Sequence, residues 1–83
     1  MFDIMYSSSA RKFLKNSEKI IVRRIFIKIK ELAKIPIIHD SKRLKNENLF
    51  RVRVGKFRIL YEVDYKNNIL GIVRIDKRGR VYD

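Results

Sequence analysis

The hydrophobic period of this chain changes across its one proline, Pro36, and that change limits the fold more than any other feature. Before it, apolar residues recur at helical spacing; after it, from Leu49 onward, they alternate. Ile21, Ile25, Ile29, Leu32 and Ala33 form one helical stripe, and Ile20, Val22 and Phe26 are expected to widen it. Lys19, Arg23, Arg24, Lys28, Lys30 and Lys34 fill most of the remaining surface, which reads as a solvated helix face. This helix must stop before Pro36, because a residue preceding proline leaves the helical region. Upstream, Ala10, Phe13 and Leu14 mark one face of a shorter helix, with Ser7, Ser8 and Ser9 each a possible N-cap. Asn16 and Ser17 break that helix and are expected to cap the next. Residues 2–6 alternate as a short strand does.

Beyond the proline, Phe50, Val52 and Val54 alternate with Arg51 and Arg53. Gly55-Lys56 fits a two-residue hairpin loop, with glycine where positive φ is needed. Phe57, Ile59, Tyr61 and Val63 then alternate with Arg58, Leu60, Glu62 and Asp64. Lys66, Asn67 and Asn68 make the next turn, and residues 69–76 form a third strand, apolar on both faces and so expected in the sheet interior. The order β-α-α-β-β-β predicts an α+β fold: an antiparallel sheet whose N-terminal strand is followed by a helical hairpin packed on one face. The other face is left to the charged positions.

Length and composition narrow the function. Eighty-three residues leave room for one domain, spanning 1–83. There is no cysteine, so disulfides and thiolate metal sites are excluded, and His39 has no second histidine to join it. His39 stands beside Asp40 in a loop and reads as incidental. MFDIMYSSSA has neither a basic n-region nor a sustained apolar stretch, and no segment approaches the roughly 20 apolar residues of a membrane span. The expectation is a cytoplasmic protein that binds no membrane. The formal net charge of +12 attracts polyanions, nucleic acid first among them. At 46% hydrophobic the chain can still build a core, which argues against disorder.

Both halves of the chain are basic, so pattern rather than total charge must locate a site. Residues 1–41 hold nine basic and four acidic residues, and residues 42–83 hold twelve and five. Val54 and Phe57 flank the hairpin loop, which sets Arg53 directly opposite Arg58. Like charges opposed in a sheet destabilise it by roughly 0.2–1 kcal/mol, so the pair calls for a use. The bland alternative is a solvated face on which the arginines pair with Glu62 or Asp64. Lys77, Arg78 and Arg80 follow the last strand in a basic loop that can return over the same face. Arg51, Arg53, Arg58, Arg78 and Arg80 would then converge, each offering a planar fork suited to phosphate. Tyr82 can add a ring for base stacking; the alternative is a frayed terminal aromatic.

Ordinary hydrolase signatures are absent: no histidine pair, nucleophile elbow or glycine-rich phosphate loop. Asp64 and Asp76 can be imagined as a metal pair, but their basic surroundings disfavour a cation. The expectation is therefore no cofactor and no metal. RNA permits catalysis without either, since its 2′-hydroxyl can attack the adjacent phosphate while arginines stabilise the developing charge.

The run LFRVRVGKFRILYEV, the strand LGIVRIDKRGRVY and the helical hairpin before them resemble the RelE branch of the RelE/ParE toxin superfamily, in its short archaeal form. The likeness is most specific in GKFRILY and in the KRGR ending. It implies a type II toxin–antitoxin toxin: a ribosome-dependent endoribonuclease that cleaves mRNA in the ribosomal A site and is silenced by an acidic, RelB-like antitoxin in a hetero-oligomer. Arg58 then matches the arginine that contacts the scissile phosphate. Arg78 matches the one thought to assist the leaving group, with Arg80 beside it, and Tyr82 matches the base-stacking tyrosine. Arg51 and Arg53 stand where the bacterial type has two lysines, and Lys45, Lys56 and Lys77 join them as RNA contacts. Arginine holds its proton where lysine can release one, so the general base lies elsewhere or is dispensable. Lys56 and Tyr82 are the candidates for it. A ParE-like topoisomerase poison and a non-catalytic RNA- or ribosome-binding module are the competing readings.

Overall fold

Ser7 shows how local sequence and sheet are joined. Its Oγ accepts from the Ala10 N–H at 3.0 Å, which caps the first helix, and donates to the Val73 carbonyl at 2.6 Å. The computed structural model describes residues 1–38, 40–44 and 48–77. In chain order they form β1 (Asp3–Tyr6), α1 (Ser8–Lys15), α2 (Lys19–Lys34), β2 (Lys42–Arg43), β3 (Leu49–Val54), β4 (Phe57–Asp64) and β5 (Ile69–Lys77). The strands make one five-stranded sheet in the order β1-β5-β4-β3-β2.

The sheet is antiparallel from β3 to β5, as the alternation predicts, and β2, a two-residue strand that the predicted order lacks because it is too short to show a period, adds an antiparallel edge beside β3. β1 joins it parallel to β5, pairing Asp3 with Ile69 through Tyr6 with Ile72. The two helices carry the chain from β1 at one edge of the sheet to β2 at the other, and β2, β3 and β4 step back across it until β5 lies beside β1. β5 lies inside the sheet, which accounts for its apolar character on both faces. Gly55 has φ of +60°, the left-handed value expected of the hairpin loop. In the β4–β5 turn, Asp64 accepts from the Asn67 side chain and backbone, and those bonds hold its carboxyl below the usual carboxylate range.

The core lies between helices and sheet. Ile25, Ile29, Leu32 and Ala33 of α2, with Ala10 of α1, pack on Val52, Ile59, Tyr61, Val63, Leu70, Ile72 and Ile75. Burying each large aliphatic side chain contributes roughly 1.5–3 kcal/mol. Two expectations need correction. Ile20 and Phe26 do not widen the buried stripe: both are exposed, because the sheet contacts a narrower arc of α2. Phe26 instead meets the Tyr6 ring edge-on, with centroids 6.3 Å apart. Nor does Asn16 or Ser17 cap α2. Its N-cap is Glu18, without a side-chain bond, and Ser17 Oγ donates back to the Phe13 carbonyl at 2.6 Å.

A bulge in β5 interrupts the alternation. Leu60 pairs with Arg74 and Tyr61 with Ile72, so Val73 has no partner in the β4 register. Continuous alternation from Leu70 and Ile72 would have carried Arg74 and Asp76 to the buried face. The extra residue reverses the phase: Ile75 faces the core, and Arg74 and Asp76 face outward.

Candidate functional site

The sheet face away from the helices is organised in rows that cross the strands, each about 6.5–7 Å from the next. One row, beside the Gly55-Lys56 turn, holds Arg53 of β3, Arg58 of β4 and Asp76 of β5 in direct register. The next holds Lys42 of β2, Arg51 of β3, Leu60 of β4 and Arg74 of β5. The opposed Arg53–Arg58 pair expected from the hairpin is therefore present, and Arg51 shares its face.

The partner that steadies Arg58 is neither Glu62 nor Asp64 but Asp76. Arg58 Nε donates to Asp76 Oδ1 at 3.1 Å and Nη2 to Oδ2 at 3.3 Å. Both side chains are less than one quarter exposed, at 23% and 22%. Arg74, 62% exposed, adds an ion pair from Nε to Asp76 Oδ2 at 3.2 Å. Asp64, at the end of β4, pairs with Ile69 at the far end of β5 from Asp76, so the two aspartates stand too far apart to share a cation.

Charge on this face is unevenly placed among the described residues. Lys42, Arg51, Arg53, Arg58 and Arg74 lie near the hairpin, while Glu62, Asp64 and Asp3 occupy the rows beyond. A hollow of about 290 Å³ beside the basic rows is lined by Asp40, Lys42, Arg51, Val52 and Arg53. A larger depression of about 600 Å³ lies toward Ile37, Phe50 and Tyr65. It includes Glu62 and Asp64 in its wall, which suits phosphate poorly.

Lys56 sits in the exposed turn at the edge of the basic rows. Lys77 is the last residue of β5 rather than part of the loop expected to follow it, and because it pairs with Phe57 its position has the opposite phase to Arg58. Lys45, Arg78, Arg80 and Tyr82 lie outside the described residues, as does His39. Sequence reasoning passed over Lys42, Arg74 and the partnership of Asp76 with Arg58. Lys42 lies in a two-residue strand too short to show a period, and the other two reach the open face only through the bulge.

Comparisons with known proteins agree with this architecture. A chain of the archaeal RelE–RelB complex from Pyrococcus horikoshii OT3 superposes with a TM-score of 0.85 at 24% identity, over 96% of this chain and 98% of that one. The isolated E. coli RelE toxin gives a TM-score of 0.87 at 15% identity, covering 96% and 87%. The RelBE2 toxin–antitoxin complex from Mycobacterium tuberculosis gives 0.79 at 25% identity, covering 93% and 98%. No curated protein matches in sequence. Residues 4–82 match the family described as the ParE toxin of type II toxin–antitoxin system, parDE. With a match across nearly its whole length and the fold of RelE toxins, the chain belongs to the ParE toxin family of type II toxin–antitoxin systems, within the RelE/ParE superfamily.

Proposed function

We propose that this toxin is a ribosome-dependent, metal-independent endoribonuclease that cleaves mRNA in the ribosomal A site. The observation that carries the reading is the Arg53–Arg58 pair, held in register on an open sheet face with Arg51 and Lys42 in the next row. In the reaction the mRNA 2′-oxygen attacks the neighbouring phosphorus and the 5′-oxygen leaves. The 2′-hydroxyl proton is lost and the leaving oxygen gains one. Arg58 contacts the scissile phosphate and stabilises the added negative charge. Arg78 assists the leaving oxygen with Arg80 beside it, and Tyr82 stacks on a base. Arg51, Arg53, Lys45, Lys56 and Lys77 hold the flanking backbone. No resident metal is needed for these steps, and both Asp76 oxygens already face arginines. The ribosome supplies the in-line twist of the mRNA that a surface this open cannot impose alone.

The partner in this reading is an acidic RelB-like antitoxin, bound in a hetero-oligomer in the cytoplasm. Support comes from the matched chains of RelE–RelB complexes and from this chain's own α2. There Ile20 and Ile27 are exposed beside Arg23, Arg24 and Lys30, a surface suited to an acidic amphipathic segment.

The test is to induce the toxin and map mRNA 5′ ends. New ends within translated codons, lost in Arg58→Ala and in Arg78→Ala, are expected. Purified toxin should cut free RNA far more slowly than ribosome-bound RNA; equal rates would contradict the positioning mechanism. The matched family's ParE description favours one other reading, a DNA topoisomerase poison. Toxicity with intact mRNA and trapped topoisomerase–DNA complexes would select it.

A further inference from the structure

We propose that Asp76 is a positioning residue for Arg58, the acid that holds this guanidinium in the plane from which it meets phosphate. For its catalytic consequence the inference rests on the ribonuclease reading above.

The cross-strand row contains the argument. Arg58 is opposed by Arg53 on one flank and Asp76 on the other. Repulsion from Arg53 drives the Arg58 head group off the sheet, and a long side chain has many other rotamers to adopt. The side-on contact of Nε and Nη2 with the two Asp76 oxygens removes that freedom at two points. This pair is the shielded one, and the exposed Arg74 adds an ion pair to the same carboxylate. By charge alone, an acid inside a polyanion site weakens it. An acid set in register with Arg58, on a strand whose phase is reversed to present it, is instead explained by orientation. A preset guanidinium needs no reorganisation when charge develops on the phosphate.

Charge and orientation predict opposite outcomes for the same variant. In cleavage of mRNA on programmed ribosomes, Asp76→Ala is expected to lower kcat by roughly ten- to a hundredfold. KM should stay unchanged or fall, since a negative charge has left the site. Asp76→Asn, which keeps one acceptor, should lie between. In an Arg58→Ala background the Asp76→Ala change should alter kcat by less than about twofold, because Asp76 acts through Arg58. An Asp76→Ala toxin that cleaves as fast or faster, or an equal loss with and without Arg58, overturns the proposal. A second measurement needs no RNA. The Arg58 Nε–H resonance should be ordered and slow to exchange in the native protein and should lose both properties in Asp76→Asn, with the backbone amide spectrum preserved. A resonance indifferent to Asp76→Asn also overturns it. A native toxin that leaves ribosomal mRNA intact defeats the ribonuclease reading alone, and the resonance comparison then decides the positioning.

Discussion

Tyr61 has no exposed surface, yet its hydroxyl sits at the centre of a polar relay. It donates to the Pro36 carbonyl at 2.6 Å and shares a 2.7 Å bond with Ser41 Oγ, which also accepts from the Ile38 N–H at 3.3 Å. One side chain therefore pins the segment after α2 to the middle strand. Tyr61→Phe should cost about 1–3 kcal/mol, since a buried carbonyl loses its donor. Urea unfolding would read this directly, and a melting point about 4–8 °C lower per kcal/mol would accompany it. Burial raises the Tyr61 pKa, with the Ser41 bond opposing it. Below about pH 10, the ordinary tyrosine value, both folded and unfolded states keep the proton and the stabilisation is complete. Above it the unfolded state ionises first, so stability falls as pH rises through the elevated folded value. That part of the alkaline loss should be missing in Tyr61→Phe. The alternation placed Tyr61 on the buried face, but not its relay. Its partners are 25 and 20 residues away in sequence, beyond the reach of any local pattern.

The elements divide by how much of their position is decided locally. The β3–β4 hairpin is self-specifying: a glycine at φ of +60° and two alternating strands fix its register, and with it Arg53 opposite Arg58. Hence that part of the site was legible in the sequence. β5 is different, because its outward residues depend on a bulge whose carbonyl is bonded by Ser7, 66 residues earlier. Periodicity alone cannot place a phase reversal set by so distant a partner. Ser7→Ala removes the α1 cap and leaves the Val73 carbonyl without this donor, and should cost about 2 kcal/mol or somewhat more. Ser9→Ala, at an exposed position two residues along, should stay within about 0.5 kcal/mol of the native protein. Denaturant titration of the two variants distinguishes the serine that anchors from the one that merely neighbours it.

At the scale of the molecule, the open face has a basic half and an acidic half, and on the proposed reading RNA would lie on the basic one. A single strand crossing the basic rows would pass from Lys42 over Arg51 to Arg74. Lys42→Ala should weaken RNA binding similarly for all sequences and reduce the slope of log affinity against log salt by about 0.7. Glu62→Gln should strengthen binding, as the acidic boundary recedes. Fluorescence titrations at several salt concentrations check both. The overall charge was evident in the sequence; its division into halves needed the register of all five strands. The pairing of β1 with β5 bears also on time. A chain emerging from a ribosome presents β1 and both helices long before Ile69 to Ile72 exist to pair with Asp3 to Tyr6. The nascent protein can hold helices and an early strand, but neither the closed sheet nor the Arg58–Asp76 contact until β5 has been made. On the proposed reading, the surface that would meet RNA is therefore absent from the nascent chain until β5 has been translated and paired with β4.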